Sequence, residues 1–187
     1  MATEEPSYTV TEKSGDFELR AYSPMIVAET QVSGPMDDAS SAGFRLIADY
    51  IFGNNTSRAG SNEKISMTAP VTMEPKSEKI SMTAPVSMEQ TGEQWRVHFV
   101  MPSQYTLDTL PQPNNPAVRL RELPASNYAV IRFSGLVGEN KRAAKTEELM
   151  TWLDSKGITP IGQPELARYN PPWTLPFLRR NEVMLAY

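Results

Sequence analysis

The chain has 187 residues, no cysteine, a single histidine and a formal net charge of −4, with a pI near 5.1. That excludes disulfides, thiolate metal sites, cysteine nucleophiles and any two-histidine metal site, and an acidic balance gives no general attraction to nucleic acid or anionic membranes. The length suits one domain with a substantial core; no apolar run is long enough to cross a bilayer, and the acidic opening MATEEPSYTV is no secretory signal, so a soluble, cytoplasmic protein is expected, although a processed precursor would read the same.

Phe17–Tyr22 (FELRAY) alternates apolar and charged residues, the pattern of a half-buried strand. Ser23-Pro24 marks a turn, and Met25–Val32 (MIVAETQV) reads as the second strand of a hairpin ended by Gly34-Pro35. A helix is predicted over Ala39–Phe52, capped by Asp37 or Asp38. Phe44, Ile47, Ala48 and Ile51 form its apolar face, and Gly53-Asn54 stops it. Asn54–Asn62 is a polar loop.

A duplication follows. Glu63–Val71 (EKISMTAPV) recurs identically at Glu78–Val86, with a period of 15 residues. Two copies are too few for a solenoid. Their Ile, Val and Thr content predicts two strands joined at Pro75–Ser77, with Pro70 and Pro85 at edges or bends. Near-identical strands leave register to the flanking turns.

Trp95–Met101 is predicted as a strand with Trp95, Val97, Phe99 and Met101 on one face and Arg96, His98 and Val100 on the other. Tyr105–Pro116 carries three prolines and crosses between two halves, about 8–104 and 117–187. The second half repeats the plan: strands at Val118–Leu123 and Tyr128–Phe133 about a turn at Pro124–Asn127, then a helix at Glu139–Ser155 closed by Gly157. Strands at Glu165–Tyr169 and Val183–Tyr187 flank a proline-rich, aromatic and basic loop, Asn170–Arg180. The expected architecture is a single α+β domain: tandem repeats, pseudo-two-fold related, on a strongly curved sheet carrying two helices.

Enzyme signatures are sparse. There is no G-x-S-x-G, H-E-x-x-H, Walker loop or G-x-G-x-x-G. His98 supports two readings, an axial haem or metal ligand and a strand histidine without such a role; the second is the expectation. Met67, Met73, Met82, Met88 and Met101 cluster around the duplication. Thioethers can ligate haem iron but are usually packing material. In the 170–180 loop, Trp173, Leu175 and Phe177 offer apolar contact and Arg179 and Arg180 offer cations. That combination suits a flat apolar ligand bearing carboxylates, and equally a loop pinned over the core with its arginines in water.

These motifs resemble the SOUL/haem-binding protein family. The resemblance runs through F-E-L-R-x-Y at Phe17–Tyr22 and, in part, Gly43, Phe44, Ile47, Tyr50, Ile51, Gly53 and Asn55. It continues in the doubled K-I-x-M-T-A-P-V at Lys64–Val71 and Lys79–Val86, which resembles bacterial-type members, and in F-V-M-P at Phe99–Pro102. It ends with F-S-G at Phe133–Gly135, A-R-Y-N-P-P-W-T at Ala167–Thr174 and R-R-N-E-V at Arg179–Val183. The resemblance implies tandem β-α-β repeats forming a distorted β-barrel flanked by two helices, an architecture similar to the effector-binding domains of multidrug-responsive regulators. It implies binding of haem or a related tetrapyrrole in an apolar cleft between the first helix and the loop before the last strand. On this chain those positions are Phe44, Arg45, Ile47, Ala48 and Ile51, with Trp173, Phe177, Arg179 and Arg180. Three roles are carried forward: a tetrapyrrole carrier or buffer, a general small-molecule binding module, and an enzyme removing iron from haem.

Overall fold

The computed structural model describes residues 4–58, 79–171 and 173–187. Among them, nine strands form one antiparallel sheet: β1 (Tyr8–Ser14), β2 (Phe17–Tyr22), β3 (Met25–Ser33), β5 (Val86–Thr91), β6 (Gln94–Val100), β8 (Arg119–Leu123), β9 (Ser126–Phe133), β10 (Ile161–Arg168) and β11 (Asn181–Ala186). Two short strands, β4 (Asn55–Thr56) and β7 (Gln112–Pro113), pair with each other. Helix α1 spans Met36–Ile51 and α2 spans Glu139–Ser155.

The sheet order is β1-β2-β9-β11-β10-β5-β6-β3-β8. The predicted hairpin of β2 with β3 does not form. β2 pairs with β1 and β9, while β3 pairs with β6 and β8. Strands six places apart in a flat sheet would lie roughly 29 Å from each other. Yet Ser23-Pro24 alone joins β2 to β3, and the three virtual bonds from Tyr22 to Met25 reach at most about 11 Å. Pro124-Ala125 joins β8 to β9 in the same way. The sheet must therefore curl until its ends meet. It does not close into the expected barrel, because its ends meet without pairing; Pro24 and Pro124 in the seam turns have no N–H to offer a ladder.

Both helices pack on one face. α1 lies over β3 and β6, and α2 over β9 and β11. Ile47 and Ile51 of α1, Leu149 and Leu153 of α2, and Val97, Phe99, Ile131, Leu166 and Val183 of the sheet form one buried cluster. The helix α1 begins earlier than predicted, with Pro35 as its cap residue and no side-chain cap. Asp37 and Asp38 sit in the first turn, where the dipole favours them, and Met36 is drawn into the core. A Cβ on Gly43 would lie 2.7 Å from Val97 Cβ, so glycine is what lets α1 approach β6 this closely.

The first copy of the duplication lies outside the described residues. In the second copy only Val86 enters a strand. Ile80 instead donates its N–H to the Ile51 carbonyl at the end of α1 (2.8 Å), and Ala84 donates to the Glu4 carbonyl (2.9 Å). Pro85, lacking an N–H, precedes the point where the ladder can start.

Candidate functional site

The alternation of a strand sends every second residue to the face away from the helices. There the curl gathers charge and aromatic rings. Arg20, which is 1 % exposed, makes a two-pronged bond to Glu182, which is fully buried: Nη1 donates to Oε2 at 2.8 Å and Nη2 to Oε1 at 3.0 Å. Arg20 Nε donates to Glu18 at 2.8 Å, and Nη1 to the Tyr22 hydroxyl at 3.0 Å. Tyr169 donates its hydroxyl to Glu182 at 2.7 Å, and Arg180 Nε adds a bond at 2.9 Å. The Arg180 guanidinium lies 3.7 Å over the Tyr169 ring. Burial alone would raise the Glu182 carboxyl, but the bonds and charges of Arg20 and Arg180 outweigh it and hold the group below its ordinary range.

Beside this network lies a cavity of about 70 Å³. Tyr22, His98, Tyr128, Glu165, Tyr169 and Met184 line it, with Met25, Val100, Leu123 and Ser126 from the two ends of the sheet. Tyr128 donates its hydroxyl to Glu165 Oε1 at 3.2 Å. His98 Nε2 stands 4.0 Å from Glu165 Oε2, too far for a hydrogen bond. His98 Nδ1 is buried with no hydrogen-bond partner among the described residues. Burial, then the cations of Arg96 and Arg121, pull the imidazole down to about 3, so it is neutral. Burial raises the Glu165 carboxyl, against the opposing effect of Tyr128 and the same two arginines. A neutral imidazole and a reluctant carboxylate thus face each other across a gap, each with capacity to spare.

The second feature is at an end of the molecule. Leu136, Trp173, Leu175, Phe177 and Leu178 are all more than half exposed. Gly135 donates its N–H to the Pro176 carbonyl at 2.9 Å, tying the 134–138 loop to the short 3₁₀ turn Pro176–Leu178. Arg168 braces that end: it donates to Asp37 (3.0 Å) and Ser40 (3.3 Å) of α1 and to the Val137 carbonyl (3.2 Å). Arg179 Nε donates to the Thr174 carbonyl at 2.8 Å, within the loop.

The predicted site residues divide. Trp173, Phe177 and Arg179 sit at the apolar end, linked through Arg168 to the start of α1. Phe44 is 39 % exposed, its ring 5.6 Å from that of Phe99, and Arg45 is exposed. Ile47, Ala48 and Ile51 are buried beneath α1; the i, i+3, i+4 spacing that marks them is the spacing of a core stripe. Arg180 is committed to Glu182 and to Glu5, at 2.9 Å. His98 lies inside the curl, and among the described residues no three His, Asp or Glu side chains gather as a metal site. Of the methionines, Met88 and Met101 are core and Met82 packs against it; Met67 and Met73 lie outside the described residues. Sequence reasoning missed Leu136, Arg168, Tyr128 and Glu165. Glu165 and Tyr128 follow alternating strand patterns that mark a face without revealing that the face is closed over.

Comparison with solved structures bears on the fold alone. The crystal structure of the EcmrR C-terminal domain is 11 % identical, with 96 % of each chain covered and a TM-score of 0.63. The crystal structure of a hydrolase from Listeria innocua is 10 % identical, covering 94 % of this chain and 93 % of that one, with a TM-score of 0.58. No curated protein matches the sequence. The model of the SOUL heme-binding protein family matches residues 3–186. With nearly the whole length matched, the motifs at both chain ends meeting in the Arg20–Glu182 network, and the two-helix curled sheet beneath them, the chain belongs to the SOUL heme-binding protein family.

Proposed function

We propose that the protein binds a tetrapyrrole at the apolar end and acts as a carrier or buffer. The observation that carries this reading is the exposed run Trp173, Leu175, Phe177 and Leu178 with Leu136 beside it. Grouped apolar surface of this kind marks a binding site. The residues fit the group in part. Apolar faces would cover the macrocycle, with Phe44 on the α1 side, and Arg179 would meet a propionate. No imidazole lies at that end, since the sole histidine is His98, in a cavity far too small for a porphyrin. Bound haem would bring its iron without a histidine ligand, held by contact and charge.

The test is a haem titration followed by visible absorption. A saturable Soret change is expected, weakened roughly tenfold by Trp173→Ala together with Phe177→Ala, a loss of about 1.4 kcal/mol. His98→Ala should leave it unchanged. Absence of saturable binding sinks the reading, and loss of the Soret band with iron release would replace a carrier with an enzyme.

A second reading, a general small-molecule module, draws on the cavity at Glu165. We read the fold as two tandem halves, and the strand order supports this. Exchanging β2 with β8, β3 with β9, β5 with β10 and β6 with β11 turns the order from β2 to β8 into its own reverse. The implied axis runs between β10 and β5, which carry Glu165 and Ser87 into the cavity. The mouths of curled sheets are places where ligand sites recur. Thermal shift with a panel of apolar cations tests it: ligands that stabilise wild type and not Glu165→Gln support the reading, and a response to porphyrins alone removes it.

A further inference from the structure

Four residues at the start of the described chain, Glu4–Ser7, run beside the Glu165 cavity, with Pro6 at its wall. Pro6 lines that cavity, and it also lines a second, larger groove of about 630 Å³. The two spaces share Pro6, Met25 and Val100. Met25 and Val100 belong to the sheet, and Pro6 is the shared residue outside it. The segment is held through Glu4, Glu5 and Ser7. Glu4 accepts from the Ala84 N–H at 2.9 Å and, through its carboxylate, from the Ser103 N–H at 2.9 Å. Glu5 pairs with Arg180 at 2.9 Å, and the Ser7 carbonyl accepts from the Ser23 N–H at 3.0 Å. Glu4, Glu5 and Ser7 are exposed and Pro6 half-buried.

The chemistry on both sides of Pro6 agrees. The groove is walled by Ile26, Met101, Tyr105 and Leu107, and its acids are Glu4, Glu5, Asp108 and Glu122. No lysine, arginine or histidine lines it among the described residues. The cavity adds Glu165, three tyrosine rings and His98, whose buried Nδ1 has no hydrogen-bond partner among the described residues. The groove already has the ~300–1,000 Å³ of a small-molecule site, and the cavity would add a polar end to it.

We infer that Glu4–Ser7 is a displaceable strap dividing one binding site for an amphipathic cation, whose charged head seats at Glu165 among the tyrosines and whose apolar body lies in the groove. The inference rests on the second reading above. Carboxylates with aromatic faces favour an organic ammonium over a metal ion or an anion. Asp108 and Glu122 remain when the strap leaves, so the opened site keeps its sign.

The chain has no cysteine, so Glu4→Cys with Thr83→Cys introduces one possible disulfide, between residues already paired across a β-bridge. Tetrabutylammonium binding to this variant of the 187-residue chain is measured by calorimetry, oxidised and reduced. Reduced protein should bind and oxidised protein should bind at least roughly tenfold more weakly, as expected when the competent state is removed. In the otherwise native chain, Glu5→Gln should tighten binding and Glu165→Gln should weaken it. Equal affinity in both redox states, with Glu165→Gln still weakening binding, overturns the strap and leaves the site. No binding in either state, nor to Glu5→Gln, overturns both.

Discussion

Glu182 and Glu165 sit on neighbouring strands, on the same face of the same sheet, and differ in every property that depends on partners. Glu182 receives bonds from Arg20, Arg180 and Tyr169, and its carboxyl is held low. Glu165 receives one bond, from Tyr128, faces a neutral histidine across 4.0 Å, and its carboxyl is raised. Glu182 is fully buried and Glu165 half-buried on the cavity wall, yet it is the more buried acid that is held low, so partners and not burial set the difference. The saturated acid is structural, because every lone pair it has is spoken for. The unsaturated one is the better place to look for a ligand, because a buried charge without enough donors is stable only when something supplies them.

Substitutions should break this contrast in order of how many bonds each removes. Arg20→Met strands Glu182 in a dry setting and should cost about 3–5 kcal/mol in denaturant unfolding; a cost near zero would mean that Glu182 is solvated. Tyr169→Phe removes one hydrogen bond to a charged, buried acceptor and should cost about 1.5–3 kcal/mol. Tyr128→Phe, removing the bond to Glu165, should cost only ~0.5–1.5 kcal/mol. If the two tyrosines cost the same, the two acids are not different.

Acid titration sharpens the contrast further. Glu182 is held below its unfolded value of 4.5, so its stabilisation is present above that pH and lost as pH falls through the folded value. Glu165 is raised above 4.5, so its contribution has the opposite sign, present at low pH and lost as pH rises. His98 ionises near 6.5 when unfolded and about 3 when folded. The unfolded chain therefore takes up its proton first, and stability falls as pH drops between those values, by at most about 1.4 kcal/mol per pH unit from this group. His98→Gln should flatten unfolding free energy across that window; Glu165→Gln should raise stability near pH 8 and do little near pH 4. The smallest effect belongs to the apolar end. Trp173→Ala, with the ring 82 % exposed, should change stability by no more than ~0.5 kcal/mol while weakening haem uptake, which separates a binding surface from a packing one.

Much of the fold is legible in the residues. The alternation in FELRAY places β2 at Phe17–Tyr22, and the boundaries of α2 follow from Gly138 and Gly157 around a run whose apolar positions are Leu149, Trp152 and Leu153. The odd and even faces of β6 also read correctly: Trp95, Val97 and Phe99 are core, and His98 and Val100 line the cavity. Two kinds of statement were not legible. A two-residue link between strands reads locally as a hairpin, and here it joins opposite ends of a curled sheet. The strand β1 at Tyr8–Ser14, six of its seven residues exposed, carries no apolar pattern to announce it. The site suffered from a related ambiguity. An apolar helical stripe serves a core or a cleft equally well, and for Ile47 and Ile51 the sheet already occupies the other side.

Periodicity, turn residues and side-chain chemistry are local properties, and they sufficed for most element types, for the family and for the apolar, basic inventory near Trp173. Only the tertiary structure decided which of those groups meet. Arg20 and Glu182 are 162 positions apart and become a saturated pair because β2 and β11 both flank β9. Glu165 keeps its spare capacity because the strand pairing brings it a neutral imidazole in place of an arginine, and donors are assigned by the geometry of the sheet.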